Sequence, residues 1–195
     1  MKIVGISGTN GSGKDTVGQM LAERHGWLFV SVTRDMLRKE AKRRGLPIER
    51  ENLRTISAEW RRESGLGVLV DKTIKEFESE GGLKKYKGLA IASLRNPGEP
   101  NRIHELGGSV VWVDAKPKIR FERVMKRKRG TEDAKTFEEF LAEQEAEMGH
   151  SDDEAALNLA GVKAKADIFL ENNGNDIEAF KDTAEKALKN RGIGL

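Results

Sequence analysis

The sequence predicts an α/β fold, a three-layer α/β/α sandwich around a five-stranded parallel sheet. Three observations carry that expectation. Short apolar runs alternate with helical stretches along the whole chain, the pattern of a parallel sheet covered on both faces. The first apolar run ends in a glycine-rich turn that opens into a helix. No repeat or low-complexity linker divides the 195 residues, so a single domain spanning 1–195 is expected.

Residues 3–7 (IVGIS) form a short apolar run ended by glycine, the mark of a buried strand. Val17, Met20 and Leu21 recur at helical spacing over 14–25, and Gly26 stops that helix. Residues 27–32 (WLFVSV) read as a second strand. Thr33 then caps a basic helix that runs to about Arg44 and breaks at Gly45-Leu46-Pro47. Two further helices are expected over 52–63 and 68–80, the second ended by Gly81-Gly82. A third strand follows at 88–93, with a loop to Pro100 and a short helical stretch at 103–106. Residues 109–114 (SVVWVD) are a fourth strand, 117–128 a helix, and 137–148 an acidic helix whose Glu138, Glu139, Glu143, Glu145 and Glu147 read as a solvated face. A fifth strand at 168–170, an Asn172-Asn173-Gly174 turn and a helix over 176–189 complete the chain.

Composition narrows the chemistry. The chain has no cysteine, which removes disulfides, thiolate metal sites and thiol nucleophiles. His25, His104 and His150 lie far apart and show no metal-ligand spacing. The 35 basic and 32 acidic residues leave a formal charge of +3, a weak attraction for nucleic acid and an equally good one for a small anion. No apolar run approaches the length of a membrane span. A soluble, cytoplasmic monomer or homodimer is expected, with small molecules rather than nucleic acid or membrane as partners.

The strongest motif is Gly8-Thr9-Asn10-Gly11-Ser12-Gly13-Lys14-Asp15-Thr16. It follows a strand and opens a helix, the context in which such a loop binds phosphates. Its glycines let the backbone wrap and aim N–H groups inward, the helix start adds partial positive charge, and Lys14 reaches the outer phosphates. Asp15 stands where Ser or Thr usually follows the lysine, with Thr16 one later. Asp15 either holds magnesium or its waters, with Thr16, or is a first-turn acid favoured by the helix dipole.

This spacing resembles the phosphate loop of the P-loop nucleoside monophosphate kinases, and Gly13-Lys14-Asp15-Thr16 resembles that of some viral deoxynucleotide monophosphate kinases. Residues 33–38 (TRDMLR) resemble the adenylate kinase segment Thr-Gly-Asp-Leu-Leu-Arg, with Arg34 replacing the glycine. The resemblance implies that Arg38 binds the acceptor's phosphate and that Asp35 orients it or helps to position acceptor and magnesium waters. From spacing alone, Thr33, Asp35 and Arg38 also fit a capped, solvated surface helix. Arg95 and Glu99 have the spacing of the arginine and base-reading glutamine of adenylate kinases, which implies acceptor binding by both; a surface salt bridge is the alternative. The acid that many relatives carry just before this arginine is missing, since residues 91–93 read Ile-Ala-Ser.

Arg123 and Arg127, four apart on one helix face, resemble the arginines that enter the adenylate kinase lid and cover ATP, with Arg129 beside them. A basic solvated face is the other reading. The resemblance places a short lid at about 128–140 and an acceptor-side helical insert at about 34–80. Residues 166–174 resemble the last strand and turn of dephospho-CoA kinases, and the whole chain resembles archaeal-type kinases between adenylate and dephospho-CoA kinases. The resemblance implies ATP- and Mg2+-dependent phosphoryl transfer to a small phosphorylated acceptor, foremost a nucleoside or deoxynucleoside monophosphate. Gly8, Asn10, Gly11, Ser12, Gly13, Lys14, Asp15, Thr16 and Arg123 would hold ATP; Lys14, Asp35, Arg123 and Arg127 would serve transfer. Dephospho-CoA kinase is the alternative enzyme, with Asp35 as base, and a nucleotide-operated switch with slow hydrolysis is the alternative of another class.

Overall fold

The structure, a computed structural model, describes residues 1–127, 136–149 and 151–195. Its strands are β1 (Ile3–Gly8), β2 (Leu28–Ser31), β3 (Leu89–Ala92), β4 (Ser109–Asp114) and β5 (Ile168–Glu171). They form one all-parallel sheet in the order β2-β3-β1-β4-β5. The helices are α1 (Lys14–His25), α2 (Arg38–Arg43), α3 (Arg50–Ser64), α4 (Val68–Ser79), α5 (Gly82–Lys85), α6 (Gly98–Glu105), α7 (Pro117–Arg127), α8 (Phe137–Met148), α9 (Leu159–Ala164) and α10 (Ile177–Asn190). This is the α/β/α P-loop kinase-like fold that the alternating pattern predicts.

The period of two along each strand divides the apolar residues between two cores. Leu89, Ile91, Val110 and Trp112 enter one, beneath α3, α4, α6 and α9. Ala90, Ala92, Val111 and Val113 enter the other, beneath α1 and α10. Because β3 and β4 flank β1, the carboxyl ends of all three strands open on one crevice, where the strand order reverses and ligands bind in open α/β sheets. Helices α7 and α8 stand over that end and pack through Phe121, whose ring lies 5.4 Å from Phe137 and 5.6 Å from Phe140. A capping box starts α8: Thr136 Oγ1 accepts the Glu139 N–H, and the Glu139 carboxylate accepts that of Thr136.

The first helix, the fourth strand and the acidic helix have the expected bounds. Other elements differ for local reasons. The helix expected from Thr33 begins instead as a π-helical turn, Val32–Leu37, that runs into α2. Thr33 lies inside that turn and does not cap it; Asp35, also inside it, reaches back with Oδ2 to accept the Ser31 N–H at 2.8 Å. Helix α6 starts at Gly98 rather than 103, because Asn96 Oδ1 accepts the Gly98 N–H at 2.9 Å. The short α9 is capped by Asn158, which accepts the Gly161 N–H at 2.7 Å. The lid expected at about 128–140 falls largely outside the described residues, as does Arg129; residues 136–140 are the cap and first turn of α8. No helix among the described residues is long and apolar enough to cross a membrane.

Candidate active site

The glycine-rich loop leaves β1 and closes on the start of α1. Gly11 and Gly13 have φ of 80° and 87°, in the left-handed region that suits glycine. The loop is also fastened from behind, so side chains there would collide. A Cβ on Gly11 would stand 2.5 Å from the Arg120 carbonyl oxygen, and one on Gly13 would run into the Asn172 amide. Asn172 Nδ2 donates to the Ser12 carbonyl at 2.9 Å. Thr9 Oγ1 donates to Asp114 Oδ1 at 2.7 Å, and Arg120 donates to the Ala115 carbonyl at 2.7 Å and the Asn10 carbonyl at 3.4 Å. Asp114 at the end of β4, Asn172 after β5 and Arg120 of α7 thereby fix the loop's shape.

Polar groups inside the loop are left over. Asn10 Nδ2, Ser12 Oγ and Asp15 Oδ1 are buried and have no hydrogen-bond partner among the described residues. Buried polar atoms without partners are uncommon, and three at one loop mark a place built for an external donor and acceptor set. Burial lowers the Lys14 ammonium to a pKa of about 8; Asp15 and Glu147 pull it up, and Arg95 and Arg127 push it down.

A cavity of about 370 Å³ opens beside Lys14. Lys14, Asp15, Arg38, Arg95 and Arg127 all line it, so the structure brings these expected residues together. Arg127 also donates to Asn10 Oδ1 at 3.1 Å. Leu37, Leu53, Leu69 and Leu157 provide apolar wall. Ser31 and Ser93 close the floor with hydroxyls 3.3 Å apart. Ser93 holds a φ of 72°, a conformation uncommon for a residue with a Cβ, at the point where the missing acid would stand.

Three expected site residues are placed differently. Glu99 does not line the cavity and is 1% exposed. Its Oε1 accepts from Arg61 at 2.8 and 3.2 Å and its Oε2 from the Arg95 and Asn96 N–H groups. It is a buried counter-ion that shapes the Arg95 loop, which corrects the base-reading role. Asp35 also lies outside the lining and is held by Arg34, whose Nε and Nη2 donate to its two carboxylate oxygens at 2.8 Å each. Partial burial pushes its carboxyl up, but Arg34 and the Ser31 N–H outweigh that and hold it below the usual carboxylate range. It fastens the start of the turn and pairs with Arg34, and is not a poised base. Arg123 turns away from the cavity and donates to the Asn172 carbonyl at 3.0 Å and to that of Gly174, so Arg123 and Arg127 part company despite sharing a helix face.

Sequence reasoning missed the far wall. Arg50, Arg54, Ser57 and Arg61 line the cavity from one face of α3; their spacing of four, three and four residues was the available signal. It also misread Glu147 as solvated. Glu147 is 6% exposed, lines the cavity, and accepts from Arg95 at 2.5 Å and Arg54 at 3.2 Å.

Comparison with known proteins agrees with this architecture. An AAA domain family model matches residues 4–147. The UPF0200 protein of Pyrococcus horikoshii is 32% identical over 176 residues, covering 88% of each chain. That of Pyrococcus abyssi is 30% identical over 194 residues, covering 96% of this chain and 95% of its own. Among solved structures, TT1252 from Thermus thermophilus superposes with a TM-score of 0.56 at 23% identity, covering 98% of both chains. Shikimate kinase from Acinetobacter baumannii, solved in complex with shikimate, gives 0.53 at 18% identity over 97% of this chain and 92% of its own. At these identities the solved structures speak to the fold alone.

Proposed function

The chain belongs to the UPF0200 family and, over residues 4–147, to the AAA domain family, and from that premise we propose that it is an ATP-dependent phosphotransferase acting on a small phosphorylated acceptor, foremost a nucleoside monophosphate. The observation that carries this reading is one shared cavity: Lys14 at the phosphate loop, Arg38 at the start of α2 and Arg95 on the loop after β3 line the same 370 Å³. A donor phosphate held at Lys14 and an acceptor phosphate held at Arg95 would then share one space.

Transfer in such a site is positioning and charge neutralisation. The loop amides and Lys14 hold the donor's phosphates. Arg38 and Arg95 orient the acceptor, since a guanidinium fork suits a phosphate monoester. The bond between the γ-phosphorus and the β-bridging oxygen breaks as a bond to an acceptor phosphate oxygen forms. That oxygen carries no proton at neutral pH, so no base is required. The engagement of Asp35 with Arg34 favours this acceptor over the hydroxyl of dephospho-CoA, which would need a base. Arg127 lines the cavity beside the loop and neutralises charge on the transferring group.

The residues present fit magnesium. Asp15 Oδ1 is a buried hard oxygen next to Lys14 with no partner among the described residues, and Thr16 adds a hydroxyl one residue later; these two would hold the ion or its waters. Bound there, Mg2+ would screen the donor's negative charge. The test is a split of kinetic constants. Arg95→Ala is expected to raise KM for the acceptor about tenfold or more and to leave KM for ATP within about threefold. Equal changes in both, or none, contradict the placement of the acceptor.

A further inference from the structure

Glu147 is an odd residue for a cation-lined cavity: an ionised group, its side chain 7% exposed, on the last turn of α8. Its partners come from two other elements. Oε2 accepts from Arg95 Nη1, on the loop after β3, at 2.5 Å. Oε1 accepts from Arg54 Nη2, on α3, at 3.2 Å, with Arg50 Nη1 at 3.7 Å. Arg50 is drawn aside by Glu143 at 2.9 Å. One carboxylate therefore gathers two guanidiniums from opposite walls and leaves that trio with a single positive charge. Arg95 spends one terminal nitrogen on Glu147. Its side-chain Nε and Nη2 have no protein partner among the described residues, and the side chain is 20% exposed. Burial pushes the Glu147 carboxyl up, but Arg95, Arg50 and Arg54 outweigh it and hold its pKa at about 2, so Glu147 stays ionised across the neutral range.

We propose that Glu147 is a positioning residue of the acceptor site, holding Arg95 and Arg54 together as a single cradle for a phosphate dianion. The proposal rests on the acceptor reading above and adds Arg54 and Glu147 to it. An arginine whose orientation is fixed beforehand loses less side-chain entropy on binding. Removing the charge of Glu147 while keeping its shape would let two close guanidiniums repel each other and swing apart. A carboxylate that only staples α8 to α3 predicts something else: general loss of stability, with no selective loss of anion binding.

Calorimetry on the full chain separates these. With the donor site filled by a non-hydrolysable MgATP analogue, inorganic phosphate is the probe. Glu147→Gln is expected to weaken phosphate binding about tenfold or more. It should leave affinity for the MgATP analogue, measured without phosphate, within about threefold, and Glu147→Asp should recover part of the loss. Arg54→Gln is the second variant, for use if Glu147→Gln fails to fold; it should weaken phosphate and spare the nucleotide. Phosphate binding by Glu147→Gln as tight as in the wild type overturns the proposal, as does a parallel fall in both affinities or a wild type that binds no phosphate. If phosphate binding depends on Glu147 but no acceptor is ever phosphorylated, the transfer reading fails and the cradle stands. If an acceptor is phosphorylated with a KM that Glu147→Gln does not change, the cradle alone fails.

Discussion

Asn172, on the turn after the edge strand β5, holds the phosphate loop: its side-chain amide donates to the Ser12 carbonyl at 2.9 Å and fills the space over Gly13. Residues 160 positions apart thus set one loop's curvature. Asn172→Ala leaves a buried carbonyl without its donor, a loss of about 1–3 kcal/mol. The expected outcome is a lower Tm together with weaker binding of a fluorescent ATP analogue, because the loop is no longer held in its binding shape. Unchanged nucleotide affinity would show that the loop keeps its curvature unaided.

Glu99→Gln tests the correction at that position. Arg61 and Glu99 are each 1% exposed on their side chains and 2.8 Å apart. Breaking such a pair by neutralising one partner strands a buried charge and costs about 3–5 kcal/mol. Chemical denaturation should show that loss, and no switch between purine and pyrimidine acceptors should accompany it. A stable variant with altered base preference would return Glu99 to the acceptor pocket.

Much of this was legible in the sequence. The strands β1, β3 and β4 are nearly pure apolar runs because they are buried on both faces, and the loop from Gly8 to Thr16 carries its function in its spacing. What was not legible depends on tertiary partners. Glu99 and Arg95 keep the expected four-residue spacing, yet Arg61, 38 positions away in sequence, claims the Glu99 carboxylate. Glu147 sits in a run of acids that reads as solvent-facing, and only the arginines of α3 and the β3 loop turn it inward. Asp35 reads as a poised acid until its immediate neighbour Arg34 is seen folded onto it.

Nucleotide binding should weaken with alkalinity. Lys14 has a pKa of about 8, and a bound phosphate stabilises its charged form and raises that value. Below pH 8 the ammonium is already charged and affinity is flat. Above it, binding must take up a proton, so affinity should fall by up to about tenfold per pH unit. Titration with an ATP analogue from pH 7 to pH 10 checks this, and Lys14→Ala should remove the dependence along with most of the affinity.

Asp15→Asn should raise the Mg2+ concentration needed for half-maximal activity about tenfold or more, since an amide oxygen is a poorer ligand for a hard cation than a carboxylate. Nucleotide affinity in the presence of a chelator should not fall. An unchanged Mg2+ requirement would make Asp15 a first-turn acid serving only the helix dipole.

The central claim is that Lys14 and Arg95 hold two phosphates in one cavity for transfer between them. The most direct measurement is ADP formation from MgATP by the purified protein with AMP, GMP, CMP, UMP, their deoxy forms or dephospho-CoA, each set against a blank without acceptor. The account predicts turnover that depends on a nucleoside monophosphate, with the phosphorylated product identified by 31P NMR. It also predicts a loss of roughly a thousandfold in Lys14→Ala, about 4 kcal/mol of transition-state stabilisation. ATP consumption that no monophosphate raises above the blank would contradict it, and turnover with dephospho-CoA alone would assign the cavity to a hydroxyl acceptor instead.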